Sequence, residues 1–183
     1  MKLLFVTGSR GEWGYISPLL KECKKRKVKF YICASNMHLL DSYGTSSKEI
    51  LKEGYKIDFP IFTALDGYNV FSTAKSLGIL IQSLSDIILK LKPDWVILAG
   101  DRGETMAEAI VSAYSNIPIA HIQAGEVSGL IDGQARHAIG KFSHLHFASN
   151  FDARLRLLKL GEQKFRVKQV GAPQLDQLYE NKK

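Results

Sequence analysis

Apolar and polar positions along this chain follow two periods, and together they predict a regular succession of strands and helices. Residues 2–7, KLLFVT, form a short apolar run of the kind a buried strand shows, and residues 28–34 form a second. Between them, 8–14 reads GSRGEWG, a glycine-rich turn. Ser17 and Pro18 read as a cap and a first-turn proline of a helix that runs to about Arg26. Residues 36–54 suggest short helices around a turn at 41–44. Residues 56–62 suggest a strand that Pro60 confines to an end or an edge. A loop over 63–70 carries the turn pair Asp66 and Gly67. Leu77, Ile81, Leu84, Ile87, Ile88 and Leu91 then fall in register as a long amphipathic helix over 72–91, which Pro93 stops.

The chain is organised around 96–121, VILAGDRGETMAEAIVSAYSNIPIAH. Val96, Ile97 and Leu98 read as a strand buried on both faces. Ala99 and Gly100 are small enough for a sharp turn, and Asp101 stands between strand and helix. Met106, Ala109, Ile110 and Ala113 give that helix one apolar face. The chain returns as a strand ending at His121. A loop over 123–132 comes next, then a short helix at 134–141, a strand at 145–148, a helix at 151–160, a strand at 165–170 and the start of a helix near 174. This alternation predicts an α/β fold with a Rossmann-like, doubly wound parallel sheet. Ligands of such sheets bind at the carboxyl ends of the strands. Asp101 and the segment after His121 should therefore meet at one site.

Composition adds little that is specific. The chain has 183 residues, a hydrophobic fraction of 45% and a charged fraction of 23%, ordinary for one globular domain. No apolar run approaches the roughly 20 residues that cross a bilayer, and with a strand at the first residues no secretory signal is expected. Cys23 and Cys33 make no disulfide framework. A cytoplasmic protein with reduced thiols is expected, with no membrane partner. The net charge of +7 comes largely from Lys21, Lys24, Lys25, Arg26, Lys27, Lys29, Lys182 and Lys183. With no nucleic-acid motif beside it, this charge reads as a solvated helix end and a tail rather than a nucleic-acid surface.

Several residues have two readings. The turn at 8–14 lacks the GxGxxG fingerprint. It is either an ordinary strand-to-helix loop or a phosphate contact, with Arg10 as charge partner. His38 is a site residue or a surface histidine. Asp101 is a site acid or the N-cap of a helix starting at Arg102. Asp132 and Glu126 are site acids or loop carboxylates. Arg136 holds loop acids or a phosphate, or is a buried ion pair without a role in turnover. His144 and His146 alternate along a strand, a spacing that permits metal ligation, but nothing else completes a metal site.

The blocks TGSRGEWG, HLLDSYG, LAGDRGET, HIQAGEVSGLIDGQARHAIGK, SHLHFASN and VGAPQLDQL occur in order. Together they resemble the hydrolysing UDP-N-acetylglucosamine 2-epimerases that feed sialic and related nonulosonic acids. The resemblance covers essentially the whole chain. It implies a GT-B fold of which residues 1–183 are the N-terminal Rossmann-like domain, the C-terminal domain being absent from the chain. It implies loss of UDP from carbon one with loss of the proton from carbon two, then hydration of the resulting glycal. It needs neither NAD nor a metal, and it implies a homodimer formed largely through this domain, with the 72–91 helix as a candidate interface. Asp101 and Asp132 match catalytic acids of the family, with Glu126 beside them. Arg10, His38, Arg102, His121, Arg136 and His137 fall where substrate contacts are expected, His121 either binding substrate or orienting an acid. Gln123 departs from the pattern: many members carry glutamate there, and glutamine cannot exchange a proton at neutral pH. Either Gln123 only orients substrate, or Glu126 or Asp132 carries its role, or activity is lost. The chain alone is expected not to turn over. The alternatives are a glycosyltransferase domain of the same fold and a non-catalytic module for sugar-nucleotide binding or dimerisation.

Overall fold

In the computed structural model, which describes residues 1–63, 65 and 70–176, strands and helices alternate throughout. The order is β1 (Lys2–Thr7), α1 (Arg10–Lys25), β2 (Lys29–Ser35), α2 (Ser47–Lys52), β3 (Phe59–Ile61), α3 (Val70–Leu91), β4 (Trp95–Ala99), α4 (Gly103–Tyr114), β5 (Ile119–Ile122), α5 (Leu130–Phe142), β6 (Leu145–Ala148), α6 (Phe151–Lys159) and β7 (Val167–Gln169). Short 3-10 turns lie at Asn36–Leu39, Asp41–Tyr43, Lys164–Arg166 and Pro173–Leu175. All strand pairs are parallel, in the order β3-β2-β1-β4-β5-β6-β7. The chain order reverses between β1 and β4, the switch point at which such sheets bind ligands.

The pleat divides the core into two faces. Leu4, Val6, Val96, Leu98 and Ile119 pack against Leu80, Leu84 and Ile88 of α3, Ala107 and Val111 of α4, and Ile139 of α5. Phe5, Ile32, Ile97, Ala120 and Ile122 face the other way, against Trp13, Ile16 and Leu20 of α1 and Ile50 of α2. On this second face the sheet beyond α1 borders an apolar groove of about 750 Å³, lined by Leu3, Phe5, Trp95, Ile97, Ala120 and Phe147 among others. Among the described residues, no helix is long and apolar enough to cross a membrane.

Several local expectations need correction. The helix expected from Ser17 starts instead at Arg10, because Ser9 and Glu12 form a capping box, so Pro18 lies inside the helix. The glycines at 11 and 14 suggested a turn, yet neither has positive φ. Asp132 belongs to the first turn of α5 rather than to a loop. Leu130 and Ile131 there are exposed, so no inward apolar repeat announced the helix start. Pro60 does sit on the edge strand, where its missing N–H breaks no inner ladder. Of the 72–91 helix, offered as a candidate interface, Leu80 and Leu84 are buried against the sheet. Of the loop at 63–70, the turn pair Asp66 and Gly67 lies outside the described residues.

Candidate functional site at the ends of β4 and β5

The register Ala99↔Ile122 ends β4 and β5 side by side, so the segments leaving the two strands emerge at one place. Gly100 takes φ +91°, a left-handed turn that costs glycine little, and its carbonyl accepts a hydrogen bond from His121 Nε2 at 2.7 Å. A carbonyl can only accept, so Nε2 carries the proton. Burial pushes the His121 pKa down to about 4 and keeps the ring neutral. His121 therefore fixes the turn that presents Asp101, and it is fully buried.

Asp101 is not a helix N-cap. The cap residue of α4 is Arg102, and the Asp101 carboxylate turns toward the loop after β5. Its Oδ2 accepts from Arg136 Nη2 at 2.5 Å and from the Ser128 hydroxyl. Arg136 also donates to Ser128 Oγ at 2.9 Å and, through Nη1, to the Gln123 carbonyl at 2.5 Å. One guanidinium from α5 thus ties the turn after β4 to the loop after β5. This is the planar, several-donor geometry for which arginine is suited. Gln123 itself is buried and has φ +60°, unusual for a residue with a side chain.

The loop at 123–129 is pinned from below. Gly125 has φ +79°, and a Cβ there would lie 2.4 Å from the Ala153 carbonyl oxygen and 2.7 Å from Leu157 Cγ. Arg156 Nη1 donates to the Gly125 carbonyl at 2.5 Å, and the Glu126 carboxylate accepts from the Ser149 hydroxyl at the end of β6. Gly125→Ala is expected to lose roughly 3 kcal/mol of stability, from positive φ and overpacking together. Urea denaturation of the chain measures it, and an unchanged midpoint would show the loop to be looser than described.

A second carboxylate cluster lies behind the β1–α1 turn. The buried Glu12 accepts from Gly8 N at 2.5 Å, Ser9 N at 3.2 Å and Thr105 Oγ1 at 3.4 Å, joining α1 to α4. Burial, which outweighs those hydrogen bonds, raises its pKa to about 7. Burial likewise holds Glu108 well above the usual carboxylate range, with Glu12 and Glu104 adding to it. A raised acid stabilises the fold fully below its unfolded pKa and loses that contribution as pH climbs toward 7. Stability should therefore fall by roughly 3 kcal/mol between about pH 4.5 and 7 on account of Glu12. Glu12→Gln keeps the capping acceptor and should reduce that slope in denaturation curves taken across the range, Glu108 keeping its own share. A slope unchanged by the substitution would exclude Glu12 as its source.

The other expected residues separate clearly. Arg10 is exposed at the start of α1 and pairs with Glu49 at 2.8 Å. Arg102 Nε lies 3.5 Å from Glu104, which also accepts from Asn36. Asp132 and His137 are half-buried on α5, on either side of Arg136 in sequence. His38 is no surface histidine: it is 1% exposed, with Nε2 3.0 Å from Thr7 Oγ1 and Nδ1 2.8 Å from Ser46 Oγ. Both nitrogens are taken, and burial lowers its pKa to about 4, so it braces β1 from behind. His144 and His146 are not alike. His144 precedes β6 and is exposed, while His146 is buried 3.2 Å from Glu162. Among the described residues no group of three or more ligating side chains could hold a metal. Tyr15 was not singled out from the sequence. Burial chiefly raises its pKa, and the charges of Glu126, Arg136 and Asp101 also act on it. The overlooked Ser9–Glu12 capping box, which starts α1 early enough to include it, was the missing signal.

The profile of the UDP-N-acetylglucosamine 2-epimerase family matches residues 21–183. The chain belongs to this family. It is 36% identical over 182 residues to the UDP-N,N'-diacetylbacillosamine 2-epimerase (hydrolyzing) of Legionella pneumophila, a match covering 99% of this chain and 48% of the relative. It is 38% identical to the GDP/UDP-N,N'-diacetylbacillosamine 2-epimerase (hydrolyzing) of Campylobacter jejuni, covering 93% and 45%. The chain thus spans about half the length of the curated relatives it matches. The crystal structure of the UDP-GlcNAc 2-epimerase from Neisseria meningitidis bound to UDP-GlcNAc superposes with a TM-score of 0.86 at 25% identity, over 98% of this chain and 49% of that one. The epimerase-family chain therefore has the Rossmann-like fold of about half a GT-B enzyme. Likeness to the galactosyltransferase WaaB, with TM-score 0.64 at 14% identity, is one of fold alone.

Proposed function

We propose that this chain is the first domain of a hydrolysing 2-epimerase that converts a UDP-linked 2-acetamido sugar to the free 2-epimer and UDP. The substrate is UDP-N-acetylglucosamine or a diacetamido relative, and the product serves sialic or related nonulosonic acid synthesis in the cytoplasm. The observation that carries the reading is the Asp101–Arg136–Gln123 network at the carboxyl ends of β4 and β5, next to the switch point, in a chain of this family. The named hydrolysing relatives support the subtype.

The chemistry comes down to charge. As UDP leaves carbon one, positive charge grows on the ring and negative charge on the diphosphate. Asp101, and Asp132 from the first turn of α5, supply the carboxylates for the first. Arg10 and the N-terminus of α1 supply the positive end for the second. The proton from carbon two needs a base, and Gln123 cannot serve. Its backbone is held by Arg136 and its amide orients the sugar. The acid–base work falls to Asp101, Asp132 and Glu126. Elimination and then hydration is redox-neutral and calls for no nicotinamide. The 183-residue chain alone does not turn over, because it supplies only one wall of the cleft, and the complete protein works as a homodimer.

Proton and phosphorus NMR of a reaction run with the complete protein tests this. Free mannosamine-type sugar and UDP are expected in equal amounts. Sugar appearing only on an added acceptor would make the protein a glycosyltransferase. Binding without any product would make it a sugar-nucleotide module.

A further inference from the structure

The connection leaving β7 reaches back into the site. After Gly171, which takes φ +84°, the chain forms the 3-10 turn Pro173–Leu175 and packs against α1. Pro173 and Leu175 line the apolar groove. Gln174 between them points away from it, and its Oε1 accepts a hydrogen bond from Gln123 Nε2 at 3.0 Å. Gln123 is 3% exposed, so this amide is withdrawn from water and needs a partner. Its main chain is already fixed by Arg136. Its side chain is held by a residue that lies beyond the last strand.

We propose that Gln174 is a positioning residue of the site: it holds the Gln123 side chain and couples it to the connection that leaves β7. Arg136 ties the Gln123 backbone to Asp101, and Gln174 holds the amide end of the buried side chain. Pro173 and Leu175 line the groove where the turn packs against α1, so a shift of the turn along α1 moves Gln174 and, through it, Gln123. The effect of Gln123 on a sugar rests on the function proposed above; the pairing itself does not.

The test is nitrogen-15 NMR of the side-chain amides of this chain, with the Gln123 pair identified by its loss in Gln123→Leu. Gln174→Ala should shift the Gln123 amide upfield and speed its hydrogen exchange at least tenfold, leaving the backbone signals of β1 and β2 in place. Gln174→Glu keeps an acceptor of the same reach and should restore the protected amide. In the complete protein, Gln174→Ala should lower kcat about tenfold with KM changed less than twofold, and Gln174→Glu should recover most of it. An amide that ignores Gln174→Ala, or that Gln174→Glu fails to restore, overturns the pairing. A responsive amide with unchanged kcat overturns the positioning role. A responsive amide in a protein that forms no epimerised sugar leaves the pairing standing and removes the proposed function instead.

Discussion

Arg136→Met is expected to destabilise the chain by roughly 3–5 kcal/mol, the range for breaking a buried ion pair by removing one partner. The arginine side chain is 8% exposed and that of Asp101 19%, so the carboxylate left behind gains little from solvent. Methionine fills much of the volume, which separates lost charge pairing from a cavity. The same substitution releases the Gln123 carbonyl and the Ser128 hydroxyl. A double-mutant cycle with Asp101→Asn in urea denaturation isolates the pair, and a coupling energy of about 1–3 kcal/mol is expected. Additive single effects would mean that Arg136 acts on the loop alone.

Asp101→Asn in the complete protein is expected to lower kcat by about 10²–10⁴-fold, the span of a lost acid–base or charge-stabilising group. Asparagine keeps the size and can still accept from Arg136 and Ser128, so the turn should persist. The KM for the UDP-sugar should change little, because its diphosphate is assigned to Arg10 and the start of α1. A matching rise in KM with kcat unchanged would place Asp101 in ground-state binding. Steady-state kinetics, with the folded content of the variant checked by circular dichroism, separates the two outcomes.

The sheet was legible because its strands are buried on both faces: the runs at 2–7, 96–98 and 145–148 stand out without tertiary information. Pro60 on the edge strand and the register of α3 were legible for the same kind of local reason. The start of α1 was hidden by Gly11 and Gly14, which imitate a turn although neither needs a glycine conformation. The start of α5 was hidden because its first apolar residues face out. At the site, strand order brought Asp101 and Gln123 to one edge, but no spacing in the sequence could show that Arg136 joins them. His38 read as a site or a surface histidine, and His121 as a group that binds substrate or orients an acid. Their burial, with Thr7, Ser46 and Gly100 as partners, turns them into braces. Gln174 was invisible for the plainest reason, since its partner lies 51 residues away.

The central claim is that Asp101 and the loop after β5 strip a proton from carbon two of a sugar and that solvent later returns one. Running the complete protein in deuterium oxide and reading the sugar by NMR and mass spectrometry tests it most directly. The account predicts free 2-epimerised sugar carrying one deuterium at carbon two. Sugar released with its original hydrogen at that carbon would contradict it.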